Sequence, residues 1–171
     1  MSNRREARAR VMQALYASEM ADGEEAAHFV ETIIAPKLRD DTEVLAFAKD
    51  LFGWVRSHIA RLDEIIGAHS ENWELSRIAL IDHIALRIAI AEMLAFEDIP
   101  PKVSINEAIE IVKRYSTAES GRFINGILDA VLLDLHKQRL LKKSGRGLIG
   151  MTSILKRAGA DPPAPDAKSD E

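Results

Sequence analysis

The chain has 171 residues and no cysteine, which excludes disulfides, thiolate metal sites and a cysteine nucleophile. Hydrophobic residues make up 47% and charged residues 29%, a balance typical of a globular domain. The net charge of −4 is unevenly spread: residues 1–10 and 135–157 are basic, and the body between them is acidic. Basic ends on an acidic body indicate either polyanion contact at the ends or simple solubilisation.

Two stretches decide whether the sequence predicts a membrane or secreted protein. The N-terminal residues have no apolar run behind them, so they do not form a secretory signal. The most apolar stretch, residues 78–96, is interrupted by four charged or histidine side chains, which argues against a membrane span. Together with the absence of cysteine, this predicts a cytoplasmic protein.

Apolar residues recur at three- and four-residue spacing, and no useful β-alternation appears, so the sequence predicts an all-α fold. Pro36 should end the second helix, Asp40 or Asp41 should cap the third, and Asn72 the fourth. The fourth helix is apolar nearly all round, which predicts that it lies at the centre of the fold. The six predicted helices cover residues 3–20, 24–35, 42–67, 73–96, 104–115 and 116–135.

Two capping boxes mark the starts of the last two predicted helices. Ser104 with Glu107 begins the fifth helix, and Ser116 with Glu119 begins the sixth. The sixth helix contains an Asn-Gly pair typical of hairpin turns, but its helical spacing continues through the pair. We therefore expect Gly126 to lie within the helix and to permit close approach of another helix.

Arg87 is a charge on the most buried predicted helix, so it requires a partner. We expect that partner to be Glu92 or Glu107.

The helical pattern ends near Lys143, which divides the chain into a helical domain over 1–143 and a C-terminal segment over 144–171. Glycines and prolines punctuate this segment, which predicts that it is mostly disordered. Apolar residues in its basic half leave open a short partner-docking helix. With no packed stripe predicted there, removal of residues 144–171 should leave the melting of the core unchanged.

Motifs for catalysis or cofactors are not apparent. There is no P-loop or dinucleotide fingerprint, and the five histidines lack zinc-site spacing, so we expect no enzyme activity, cofactor or metal. Asp82 and His83 are adjacent on a helix and therefore point about 100° apart. A basic cluster of Arg4, Arg5 and Arg8 on the first helix is better suited to phosphates.

Three further residues accompany this cluster. Tyr16 follows it on the first helix, and Arg122 and Phe123 lie one turn into the sixth, where free N–H groups favour anions. An aromatic ring can stack on an unpaired base, although periodicity alone favours core positions for both rings.

Several segments together resemble the NusB family of bacterial transcription antitermination factors, over roughly residues 4–135. The first is Arg4-Arg5 followed by Ala-Arg8 and Gln13-Ala-Leu-Tyr16. The others are WELSRIALIDHIALRIAIAEM, IPPKVSINEAIEIVKRYST and SGRFINGILDAV.

The resemblance implies a fold of two small three-helix subdomains packed as one domain. It implies binding to NusE, a small-subunit ribosomal protein, and with it to the boxA element of ribosomal RNA leader transcripts. The assembly would join the RNA polymerase antitermination complex without catalysis. The chain would be a monomer or a dimer.

The resemblance also assigns roles to individual positions. Those that match RNA-contacting residues are Arg4, Arg5, Arg8, Tyr16, Arg122 and Phe123. Asp82 and Glu119 match acidic positions at the boundary between RNA and protein partner. Glu6 stands where some members have arginine, and Glu119 where we expect aspartate. A single RNA path over both patches requires the first and sixth helices to begin close together.

Two alternatives remain. A similar helical domain begins ribosomal RNA cytosine methyltransferases, so the chain could be a detached RNA-binding helper of that type. A helical adaptor that binds no RNA is the other. Joint binding of NusE and boxA separates the first interpretation from both.

Overall fold

The computed structural model describes residues 3–70 and 75–159, which contain helices and no β-strand. This confirms the all-α prediction. In chain order the α-helices are α1 (Arg4–Met20), α2 (Ala26–Phe29), α3 (Ala35–Leu38), α4 (Thr42–Ser57), α5 (Ile59–His69), α6 (Leu80–Ala95), α7 (Pro101–Tyr115), α8 (Ala118–Lys137) and α9 (Met151–Ala158). A π-helical turn (Val30–Ile34) joins α2 to α3, and 3₁₀ turns cover Leu75–Arg77 and Gly145–Leu148.

The predicted end of the second helix at Pro36 is wrong. The helical path continues through the π-turn into α3 and ends near Leu38. Pro36 lies in the first turn of α3, where a missing N–H leaves no helical bond unmade. Asp41, in contrast, caps α4 as predicted, because its side chain accepts a hydrogen bond from the Val44 N–H.

The long third helix is divided at His58, whose backbone leaves the helical region. Its ring stacks on Trp54, with centroids 3.9 Å apart, and its Nδ1 bonds the Trp54 carbonyl at 2.7 Å. Ser57 bonds the Gly53 carbonyl in the same way. These side chains thus compete with backbone N–H groups for the carbonyls that would continue the helix. Gly67, the predicted end of the helix, lies inside α5.

The helix predicted to be central is α6, and almost all of its residues are buried. It begins at Leu80, later than predicted. Asn72, the predicted cap, and Trp73 lie outside the described residues. Buried apolar side chains from α1, α4, α5, α7 and α8 join those of α6 in one continuous core.

Neither predicted capping box forms. The helix α7 begins at Pro101, so Ser104 is one turn inside it and donates to the buried Glu92 carboxylate at 2.9 Å. Thr117, not Ser116, precedes α8, and its side chain caps no backbone N–H. Gly126 lies within α8 as predicted, but no atom of another element lies near the place of a Cβ, so close helix approach is not its role.

Arg87 does not bind Glu92 or Glu107. Its guanidinium makes two hydrogen bonds of 2.9 Å to Asp63 on α5 and one of 2.8 Å to Glu19 on α1. Asp63 also accepts from His83 at 2.7 Å. The expected partners were wrong because sequence spacing does not show which helix faces α6. The cluster joins the α1–α5 half of the fold to the half that begins with α6.

The C-terminal segment differs most from its prediction. Residues 151–158 form α9, which packs on α7 and α8 and buries Ile154 and Leu155. The predicted disorder is therefore wrong for this part, whose apolar residues dock on the chain's own body. The Nζ of Lys143 donates to two carbonyls at the end of α6, and burial lowers its pKa to about 8.

Because α9 packs on the body, removing residues 144–171 is no longer expected to be neutral. The Leu155→Ala change should cost about 2 kcal/mol of unfolding free energy, since it deletes a side chain that is 6% exposed. The neighbouring Lys156→Ala change, at an exposed position, should cost less than about 0.5 kcal/mol. Urea unfolding measures both. Equal stability of the two variants would show that α9 does not contribute to the core.

The Arg87 cluster predicts a pH dependence. Burial and the charge of Arg87 lower the pKa of His83 from its ordinary value of 6.5, although Asp63 opposes them. At pH values just below 6.5, His83 therefore stays neutral in the folded protein but binds a proton in the unfolded chain. Folding stability falls as the pH drops below 6.5. His83→Gln should reduce this slope by up to about 1.4 kcal/mol per pH unit. Unfolding between pH 7 and 5 tests it, with the exposed His136→Gln as control.

A candidate nucleic-acid interface

Two of the predicted arginines begin α1 at the surface. Asn3 caps the helix by accepting from the Glu6 N–H, which fixes the direction of its first turn. Arg4 binds Asp98 at 2.9 Å, and Arg5 binds Glu107 with bonds of 2.9 and 3.0 Å. The Arg5 side chain is still 67% exposed, so it can reach a phosphate while one edge is held.

Arg8 does not share this surface. It is 4% exposed and makes a bidentate ion pair with Glu92, which is fully buried, at 2.8 and 2.9 Å. Its guanidinium therefore has no access to RNA in this structure. The prediction placed Arg8 with Arg4 on one helix face, but only the tertiary structure shows that α6 covers that residue.

A groove runs along α1 and α7 from this arginine end. Its volume is about 490 Å³. At one end Arg5 meets Glu107, and toward the other Gln13 meets the Tyr115 hydroxyl at 3.4 Å. Tyr16 lies one turn beyond Gln13 on the same side of α1 and is 39% exposed, so it is not the core residue that periodicity favoured.

A second, smaller pocket of about 270 Å³ lies between the starts of α6 and α8. Asp82 forms its floor and is 6% exposed. One carboxylate oxygen accepts from Ser120 at 2.8 Å, whereas the other, Oδ1, is buried and has no hydrogen-bond partner among the described residues. A buried acceptor left unpaired in a pocket is suited to a donor from outside the chain.

The remaining predicted residues surround this pocket. Phe123 is half-buried, packs against the core and lines the pocket beside Asp82. Glu119 also lines it and is exposed, and exposed Arg122 shares a shallow depression with Glu119. The first turn of α8 thus presents one anionic and one cationic side chain beside a partly covered ring.

The first predicted patch lies at one end of the groove, and the second lies beyond the other end, at the start of α8. Arg5 contacts the first half of α7, and α8 begins just after Tyr115, its last residue. Glu107 and Tyr115 are eight positions apart, which corresponds to about 12 Å along the helix. The expectation that the first and last of these helices begin close together is therefore wrong, and Tyr16 lies on the route between the patches.

Two further cations lie along this groove, and no sequence pattern predicts their role. Arg10 donates to Gln13 at 3.1 Å, and Arg114 lies over the Tyr115 ring at 5.1 Å. Both line the groove. They share a surface only because α1 and α7 run side by side, so no sequence motif joins them.

Other kinds of site receive no support from the described part of the chain. No group of three histidine, aspartate or glutamate side chains there could hold a metal ion. No described helix is both long and apolar enough to cross a membrane.

Comparison with known proteins decides the family. The family model described as NusB family matches residues 5–133. The chain belongs to the NusB family. It is 51% identical over 160 residues to the transcription antitermination protein NusB of Salinibacter ruber, covering 94% of this chain and 99% of that relative. The corresponding protein of Myxococcus xanthus is 41% identical, over 80% of this chain and 99% of that one.

Solved structures agree with the fold. The NusB of T. maritima superposes with a TM-score of 0.70 at 35% identity, over 76% of this chain and 90% of that one. A crystal structure of antitermination factors NusB and NusE in complex with double-stranded RNA has a TM-score of 0.67 at 26% identity, over 75% of this chain and 94% of that one.

The contrast between Arg5 and Arg8 is directly testable. Arg8→Met leaves the buried Glu92 carboxylate without its cation and should cost about 3–5 kcal/mol of unfolding free energy. Arg5→Met, at a mostly exposed pair, should cost less than about 1 kcal/mol. Denaturant melts of the two variants measure the difference. Similar losses would contradict the burial of the Arg8 pair.

Proposed function

We propose that the chain is a transcription antitermination factor that binds boxA-type single-stranded RNA together with NusE. The bound assembly joins RNA polymerase engaged on ribosomal RNA genes. The chain acts by binding and scaffolding and catalyses no reaction. Its place of action is the cytoplasm, where transcription and its RNA product are found.

One observation carries the RNA part of the proposal. Exposed Arg5 lies at one end of the groove between α1 and α7, exposed Tyr16 lies farther along α1, and the separate pocket beside Phe123 lies beyond the end of α7. A guanidinium binds a phosphate, an aromatic ring packs on the face of a base, and a pocket with an unpaired acceptor binds the edge of a base. A single strand can offer all three in succession, whereas the bases of a duplex are stacked inside.

The pocket suggests how a base is selected. The unpaired Asp82 oxygen accepts only from a donor, such as the amino group of an adenine, cytosine or guanine. The Phe123 ring lines the same pocket, and an aromatic ring is a group against which a base packs. A base seated there would lie beside Phe123, and its amino group would reach the Asp82 oxygen once that buried side chain turned toward the pocket.

The acidic surface suits the protein partner. Glu119 is exposed at the edge of the pocket, and the residues between 11 and 134 carry twice as many acids as bases. Ribosomal proteins are generally basic, so charge complementarity would steer NusE toward this surface. Asp82 is too buried to act there alone, so Glu119→Lys is a better test of NusE binding than a change at Asp82.

The relatives favour this function over the alternatives. The protein of Salinibacter ruber is named as an antitermination protein, and the chain covers 99% of its length. That similarity supports an antitermination factor rather than a detached RNA-binding helper of the methyltransferase type. The structure of NusB and NusE with RNA supports RNA binding over a purely structural adaptor.

The experiment is to measure boxA RNA affinity and melting on the same samples, with NusE present and absent. Arg5→Gln should lower affinity and reduce the salt slope by about 0.7, as one phosphate contact on a single strand predicts. Phe123→Ala should lose about 1–3 kcal/mol of binding with little change in salt slope. Arg61→Gln, an exposed arginine on α5, is the matched control.

Each outcome is informative because stability is measured alongside affinity. Wild-type affinity in a folded Phe123→Ala variant would remove the ring from the site. Equal losses for Arg5→Gln and Arg61→Gln would indicate an effect of net charge only. Failure of the unmodified protein to prefer boxA over a scrambled RNA, with NusE present, would refute the proposed function.

A further inference from the structure

The strap, defined as residues 138–150 between α8 and α9, is held tightly against the rest of the fold. Lys143 donates to two carbonyls at the end of α6, at 2.8 and 2.7 Å. The Ser144 N–H donates to the Glu97 carbonyl at 3.1 Å. Gly147 packs so closely on the same carbonyl that a Cβ there would collide with it. The strap therefore has a defined position on the surface.

Most cations of the strap are not used to hold it. Arg139, Lys142 and Arg146 are exposed, and their side chains make no hydrogen bond or ion pair with the described residues. No acidic residue occurs from 135 to 157, so nothing within the segment offsets their charge. Exposed, uncompensated cations on a fixed backbone form a strongly positive patch on an otherwise acidic protein.

The strap lies beside the arginine end of the groove. Arg4 binds Asp98, the residue next to Glu97, to which the strap is bonded. Glu97 and Asp98 do not interrupt the positive surface, because Arg4 pairs with Asp98 and the half-buried Lys143 attracts both acids. Lys102, at the start of α7, lies against Gly150 and adds a further exposed cation.

We propose that the strap is a second phosphate-binding surface, which holds the RNA that leaves the groove at Arg4 and Arg5 and flanks boxA on that side. This proposal rests on the proposed function and extends it beyond residues 5–133, the range that the family model matches. The strap contains no aromatic residue, so its contacts are to phosphates and carry no sequence preference. Its continuity with the arginine end favours RNA over an acidic protein segment as the occupant.

The test compares three RNAs: boxA alone, and boxA extended by about ten arbitrary nucleotides on the 5′ or the 3′ side, within the range of single-strand site sizes. The strap variant is R139Q/K142Q/R146Q. The control variant K37Q/R39Q/R61Q removes the same charge from exposed positions on and between α3 and α5. Melting of each variant is measured, and K142Q/R146Q replaces the strap variant if it unfolds.

We expect one extension, and not the other, to strengthen wild-type binding by about tenfold at low salt. The strap variant should lose this gain, bind boxA alone as the wild type does, and show a salt slope lower by about 2 on the extended RNA. The control variant should keep the gain.

Three results would overturn the proposal. In the first, neither extension strengthens wild-type binding although boxA alone binds; this result leaves the proposed function intact. In the second, the control variant loses as much affinity as the strap variant, so the effect is one of net charge alone. In the third, the strap variant keeps its affinity for the extended RNA but loses NusE binding, so the surface binds protein. Failure of boxA binding in the wild type is a separate result that refutes both proposals.

Discussion

The bidentate ion pair between Arg8 and Glu92 is the contact on which the arrangement of the other helices depends. Glu92 lies on α6, is fully buried, and also accepts from Ser104 on α7, while its backbone carbonyl accepts from Lys143. One residue thus joins α1, α6, α7 and the strap. A buried carboxylate is costly unless it is paired with a cation and hydrogen-bonded, so a shift of these elements that broke the contacts of Glu92 would be strongly destabilising.

This constraint separates the structural arginines from those left for a ligand. Arg8 and Arg87 are both committed to acids around α6, and their guanidinium groups are almost fully buried. Arg5 lies near the start of α1, the helix that carries Arg8, but its side chain lines the groove. Its ion pair with Glu107 leaves most of the Arg5 side chain exposed to solvent. Holding α1 in place through Arg8 therefore also sets the position at which Arg5 and Tyr16 meet the groove.

The distribution of charge differs between the acidic body of the fold and its basic surfaces. Acidic residues outnumber basic ones over residues 11–134, whereas exposed cations lie at the start of α1, where Arg4 and Arg5 are each paired with one acid, at the start of α8 and on the strap. This charge distribution would repel a polyanion from most of the chain and attract it to these surfaces, as the proposed RNA path requires. The same acidity would attract a basic protein partner.

The sequence by itself determined the helical class, the centrality of α6 and the residues at the start of α1 and α8. Local spacing and motif resemblance carry that information, because they concern neighbours along one helix. Only the tertiary structure decided that Arg8 is buried while Arg5 is exposed, that Arg87 binds Asp63 and Glu19, and that α9 packs on the body. Each of these depends on which helix covers a given face, and that choice is made by contacts between residues distant in the chain.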